Sequence, residues 1–132
     1  MSNIITIKNC KVINEGSITE KDILIKDGRF EKIANDIEPQ GEILDAAGHH
    51  LLPGVIDDQC HFREPGLTER GSIKTESLAA VAGGTTSFMD MPNVLPPTLS
   101  LDLWRDKISI AGQTSSANFS FYMGTSNSNI DE

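Results

Sequence analysis

Apolar and polar positions change their rhythm at about Leu51. Before it, the chain runs as short stretches rich in Ile and Val: Ile4 to Ile13, Ile18 to Lys26 and Arg29 to Ile33, with a further short stretch at Glu42 to Asp45. These read as strands of a small antiparallel β unit. Asp27-Gly28 separates Asp22-Ile-Leu-Ile-Lys26 from Arg29-Phe-Glu-Lys-Ile33, and such a pair predicts a type I′ hairpin, whose two central residues both need positive φ. From Leu51 onward, strand-like runs alternate with helix-like ones, the pattern of a parallel α/β arrangement. Leu51 to Ile56 leads into a first strand, Ser72 to Ala82 has Ile73, Ser77, Ala80 and Val81 at helical spacing, and Gly83-Gly84 closes that helix with a left-handed cap. Thr85 to Met91 is a second strand ended by Pro92-Asn93. Leu99 to Ala111 is a second helix with Leu103, Trp104 and Ile108 inward, Asn118 to Gly124 a third strand, and Asn129 to Glu132 the expected start of a third helix. The change of pattern falls between Gly48 and Pro53 and divides the chain into 1–52 and 53–132.

Asp57, Gln59, His61 and Arg63 occupy every second position directly after the apolar run Leu51 to Ile56. In an extended strand they project from one face. Crowding a carboxylate, an amide, an imidazole and a guanidinium together costs several kcal/mol unless they pair or hold a ligand, so this row is the first candidate for a site. Composition narrows the chemistry. The chain has 132 residues, 38% hydrophobic and 5% aromatic, which suits one globular core but not a complete large barrel. A net charge of −8 without a basic cluster argues against a nucleic-acid partner. No run of about eighteen apolar residues and no basic head before an apolar stretch occurs, so neither membrane nor export is indicated and a cytoplasmic location is expected. Cys10 and Cys60 stand far apart with no CxxC spacing and are expected to stay reduced. Three β/α units leave a parallel edge unpaired, which complete proteins normally cover. The front part of a longer protein is therefore expected.

Leu52-Pro-Gly-Val-Ile-Asp57, His61-Phe-Arg-Glu-Pro-Gly66, the segment Glu76 to Gly84 and Met91-Pro-Asn93 together resemble the dihydroorotase branch of the amidohydrolase superfamily, over essentially the whole chain. The resemblance implies an α/β protein, with a (β/α)₈ TIM barrel preceded by a small β-sandwich whose remaining strands come from the C-terminal end. Residues 1–52 would then be the N-terminal part of the sandwich and 53–132 the first three β/α units of the barrel. Sites in such barrels lie at the C-terminal ends of the strands. The family's first strand carries His-x-His as metal ligands. Here His61 matches the second ligand and Gln59 replaces the first, able to offer only a neutral amide oxygen. Zinc is the implied cofactor, one ion or two. A catalytic zinc needs about three protein ligands and an open position, and the remaining ligands would lie beyond Glu132.

Arg63 and Asn93 match the positions that hold the substrate carboxylate, chemistry suited to a guanidinium fork and an amide donor. Asp57 matches a carboxylate that orients the ligands, with capping of loop amides as its alternative role. The implied reaction is the metal-dependent, reversible hydrolysis of dihydroorotate to N-carbamoyl-L-aspartate in de novo pyrimidine biosynthesis. Metal activates water and polarises the amide, and a carboxylate outside this chain moves the proton. No catalytic residue falls within the chain, so the 132 residues alone are expected to be inactive. Two other readings stay open: a non-catalytic dihydroorotase-like scaffold of aspartate transcarbamoylase, motivated by Gln59, and another cyclic amidohydrolase such as an allantoinase. A homo-oligomer or association with aspartate transcarbamoylase stays open as well. Cys60 is read as a small buried hydrophobe, His49-His50 as solvated, and Trp104 and Met89 as core.

Overall fold

A computed structural model describes residues 3–130. Two compact units divide at Pro53 and Gly54. The first contains β1 (Ile4–Asn14), β2 (Ser17–Lys26), β3 (Arg29–Ala34), β4 (Glu42–Asp45) and β5 (His50–Leu51) in one five-stranded sheet of order β3-β2-β1-β4, with β5 also on β1. β1, β2 and β3 are antiparallel neighbours, whereas β4 and β5 run parallel to β1. The sheet is thus mixed, not purely antiparallel. Asp27 and Gly28 adopt φ of 50° and 75°, the two left-handed residues a type I′ turn requires. Glu15 and Gly16 do the same between β1 and β2.

Alternation on β1 and β2 builds this unit's core from Ile7, Cys10 and Ile23, with Ile5, Val12, Ile25 and Leu51 packed around them. The two-residue period is broken between Ile7 and Cys10, where the register slips. Asn9 takes φ 57° there, and its N–H donates to Asp22 Oδ1 at 3.0 Å. Asp22 Oδ2 accepts from Ile37 N–H at 3.0 Å and pairs with Lys8 Nζ at 2.5 Å. One buried carboxylate therefore satisfies the amides that the bulge and the following loop leave without ladder partners. The lysine holds the Asp22 carboxyl below the usual carboxylate range, and Asp22 in turn raises Lys8.

The second unit is a three-stranded parallel sheet, β6 (Val55–Cys60), β7 (Thr85–Asp90) and β8 (Asn118–Phe121), in chain order, connected through α1 (Ile73–Ala82) and α2 (Leu101–Thr114). Ser72 caps α1 in a reciprocal box with Thr75, and Ser100 caps α2 by accepting from Leu103 N–H. At the other end of α1 it is Gly84, at φ 91°, that takes the left-handed turn, while Gly83 stays right-handed. Cys60, Phe62, Ile73, Phe88, Ala111 and Phe121 form the core, with Trp104 and Ile108 against it. Phe62 and Phe88 lie 4.4 Å apart centre to centre, close to the range of favourable aromatic pairing.

Some sequence expectations shift. Leu103 is only half-buried and Val81 is exposed; the inward stripe of α2 is Trp104, Lys107, Ile108 and Ala111, a spacing of three and four residues. Met89 is half-buried and Trp104 packs on the core, its indole N–H donating to Phe121 O at 2.9 Å. β8 ends at Phe121, short of Gly124, and the expected third helix falls partly on residues 131–132, outside those described. Both cysteines are free and both histidines of the His49-His50 pair are exposed. Among the described residues no helix is long and apolar enough to cross a membrane.

Candidate functional site at the strand ends

The C-terminal ends of β6, β7 and β8 meet in an open cleft of about 620 Å³. Parallel strands bring this about: all three deliver their following loops to the same edge of the sheet. Asp58 and Gln59 line it from β6, Met91 and Asn93 from the loop after β7, and Tyr122 and Thr125 from beyond β8. The loops are knitted together by backbone bonds. Met91 N–H donates to Cys60 O, Tyr122 N–H to Asp90 O, and Leu95 N–H to Pro65 O, at 3.0, 3.1 and 3.0 Å. Gly66, at φ 81°, lies so close to this junction that an added Cβ would sit 1.8 Å from Leu95 O. Only glycine fits both the angle and the gap.

The polar row does not continue as one strand face. β6 ends at Cys60 after a register slip between Asp57 and Cys60, and Arg63 adopts φ 67°. His61 and Arg63 therefore lie past the end of the strand, off the pleat that carries Asp57, and neither is among the residues lining the cleft; the left-handed backbone at Arg63 also breaks the two-residue alternation there. The bulge explains why Asp58 joins Gln59 at the cleft despite its opposite parity. Asp57 Oδ1 accepts from Gln59 N–H at 3.0 Å, which is loop-amide capping.

His61 and Asn93, thirty-two positions apart, are brought together: His61 Nδ1 and Asn93 Oδ1 are 2.8 Å apart. With the amide oxygen facing it, Nδ1 is the donor, and in the neutral ring this arrangement leaves the lone pair on Nε2 for another partner. Asn93 Nδ2 and the guanidinium of Arg63 have no acceptor among the described residues. Glu64, next in sequence, is occupied elsewhere and accepts from Ile73 N–H at 2.7 Å, anchoring the first turn of α1.

Beneath the cleft lies a group that the polar row in the sequence does not reveal. Asp90 and Lys107 are both fully buried, with Asp90 Oδ2 and Lys107 Nζ 2.6 Å apart. Asp90 Oδ1 accepts from Phe62 N–H at 2.8 Å, and Lys107 donates to Met91 O at 3.0 Å while lying 4.7 Å from the centre of the Phe121 ring. The available signal was the position of Lys107 inside an apolar helical stripe and of Asp90 two residues after inward-facing Phe88. Tyr122 was also missed; its hydroxyl donates to Asp58 O at 3.0 Å. Burial, joined by the nearby Asp90 and Asp57 charges, pushes the Cys60 thiol up to about 12, which leaves it protonated and inert at neutral pH.

For a metal, the residues present fit one arm of a site. His61 offers Nε2, and Gln59 offers a neutral oxygen at the cleft. Among the described residues no group of three or more His, Cys, Asp or Glu side chains gathers, whereas a zinc centre takes about three protein ligands.

The arrangement defines a mixed α/β chain with a polar site at the carboxyl ends of parallel strands. No protein-family model matches it. The solved structure of L-hydantoinase (dihydropyrimidinase) from Arthrobacter aurescens superimposes with a TM-score of 0.93 at 35% identity, over 100% of this chain and 30% of that one. An allantoinase of Desulfitobacterium hafniense is 36% identical over 96% of this chain and 28% of its own length. A dihydroorotase of Methanosarcina acetivorans is 37% identical over 87% of this chain and 25% of its own length. Homologues of this chain are therefore cyclic amidohydrolases, with three kinds of ring hydrolase at similar identity. The chain spans less than a third of the length of each.

Proposed function

We propose that this chain belongs to a dihydroorotase, in which it forms the first strands of a (β/α)₈ barrel and one wall of the active site. The observation that carries the reading is the 2.8 Å contact between His61 and Asn93, together with an Arg63 guanidinium, two residues along the chain from His61, that has no partner among the described residues. That pairing leaves three unspent functions at one end of the sheet: an imidazole Nε2, an amide Nδ2 and a guanidinium. The last two are donors of the kind that bind a planar carboxylate. Dihydroorotate carries such a carboxylate, whereas an uncharged hydantoin or dihydropyrimidine ring does not. In this reading His61 supplies one zinc ligand, with Gln59 beside it, and the other ligands and the proton-shuttling carboxylate come from segments this chain does not include. Zinc, when bound, supplies an activated water and polarises the ring carbonyl. The chain's own residues do the holding: Asn93 fixes the ring of His61, and Arg63 and Asn93 Nδ2 orient the acid group of the substrate.

A non-catalytic scaffold reading rests on Gln59 in place of a histidine. It leaves the His61–Asn93 geometry and the unpaired Arg63 without a use. Steady-state kinetics of the full-length protein on dihydroorotate, allantoin and hydantoin test the choice. Preference for dihydroorotate supports it; preference for allantoin or hydantoin replaces it with the corresponding ring hydrolase, and no turnover of any ring supports the scaffold.

A further inference from the structure

Asp90 and Lys107 place two full charges where neither meets solvent. A buried ion pair contributes little net stability, because desolvating both groups offsets their attraction. An apolar pair of similar volume serves packing as well. What the charged pair does here is reach two backbone groups that apolar side chains cannot. Asp90 Oδ1 takes the N–H of Phe62, the residue lying between His61 and Arg63. Lys107 gives a proton to the carbonyl of Met91, two residues before Asn93. Each of these contacts sits within two residues of a member of the His61–Asn93 contact, and the ion pair at 2.6 Å ties the two contacts together.

We propose that the Asp90–Lys107 pair is a positioning device, which sets the spacing of His61 and Asn93 and the left-handed turn at Arg63 from below the cleft. This rests on the site assignment above for its consequence in turnover, but not for its geometry. Asp90 fixes the point where the chain leaves β6, and the helix α2 holds the point where it leaves β7, so the two loops cannot drift independently. A chain of this kind passes through packed groups with well-defined partners, which is what allows a buried charge to specify one arrangement. Neither residue touches the cleft, so both act through others.

The test uses the full-length protein with Lys107→Met, Asp90→Asn and the neutral double variant D90N/K107M, each alone and combined with Asn93→Ala. Turnover is measured on whichever ring the wild type hydrolyses best, so a different substrate changes the assay without changing what the variants are expected to do. Lys107→Met is expected to lower kcat by about 10²-fold, the scale of an ångström-sized misplacement, with KM changed less and circular dichroism unchanged. In the Asn93→Ala background the same substitution is expected to add little, because the contact it positions is already gone. If Lys107→Met fails to fold, D90N/K107M, which leaves no isolated buried charge, carries the same comparison. A readout free of turnover comes from ¹⁵N-histidine spectra, with the His61 signals assigned by their loss in His61→Gln. The wild type should show the Nδ1–H tautomer, and the pair variants a mixture. Unchanged kcat with unchanged tautomer, or losses that multiply independently of Asn93→Ala, would overturn the proposal.

Discussion

His61 and Asn93 leave adjacent strands and meet through a single hydrogen bond of 2.8 Å. The contact gives each residue one committed side and one free side: Nε2 on the imidazole and Nδ2 on the amide. A site of this kind orients a ligand by having its orienting bond already formed.

Removing the amide should therefore be felt at the imidazole. Asn93→Ala in the full-length protein is expected to lower kcat/KM by about tenfold to hundredfold, the usual effect of losing a group that orients a metal-binding histidine. Metal content measured on the same samples should fall further in His61→Ala than in Asn93→Ala. Equal metal content in all three proteins would remove His61 from the ligand set.

Cys60 gives a chemical check on the interior of the second unit. With the thiol held up at about 12, against an ordinary value of 9.0, iodoacetamide at pH 8 should leave it unmodified in the folded protein and alkylate it in denaturant. The sign of the linkage follows. Between pH 9 and 12 the unfolded chain loses this proton and the folded one keeps it, so the contribution to stability is intact below 9 and declines as pH rises through that window. A C60A variant should show a flatter loss of stability over the same range in denaturant titrations.

At the acid end the corresponding group is Asp22. Its carboxyl is held below its ordinary value of 3.8 by Lys8 and by the amides of Asn9 and Ile37, so its contribution is present above that value and lost as pH falls further. Asp22→Ala should orphan the buried Ile37 amide at a cost of about 1–3 kcal/mol, seen as a lower midpoint in urea at pH 7. The wild type and the variant should converge in stability at strongly acid pH. A constant difference down to about pH 2 would show that the carboxylate charge is not what holds the bulge.

Much of this architecture was legible because local rules and burial agreed. Asp27-Gly28 announced its hairpin, and Gly83-Gly84 before it and Pro92-Asn93 after it bracketed β7. The polar row was legible only in part: two-residue periodicity failed first at the bulge that brings Asp58 to the cleft beside Gln59, and again at Arg63, because nothing in a non-glycine residue advertises a left-handed backbone. β5 is two residues long and leaves no periodic signal. Lys107 was missed for a different reason. A lysine on a helix ordinarily faces water, and only its partner Asp90, seventeen positions earlier and contributed by a strand, makes the inward position tolerable.

Gly66 offers a geometric test of the loop junction. Gly66→Ala must place a methyl group against Leu95 O and hold a residue with a side chain at φ 81°, so it should destabilise the protein by more than about 1 kcal/mol and lower kcat/KM along with it. A neutral substitution, in a thermal melt and in turnover alike, would mean the two loops separate freely.

In the proposed function Arg63, which does not line the cleft within this chain, holds the carboxylate of the ring substrate. The most direct measurement is kcat/KM for dihydroorotate and for dihydrouracil, the same ring without the acid group, in the full-length wild type and in Arg63→Ala. Loss of a charge-assisted fork should cut the dihydroorotate value by about 10²-fold and leave the dihydrouracil value nearly unchanged, so that the preference collapses. Equal losses on both rings, or a wild type that favours dihydrouracil, would contradict it.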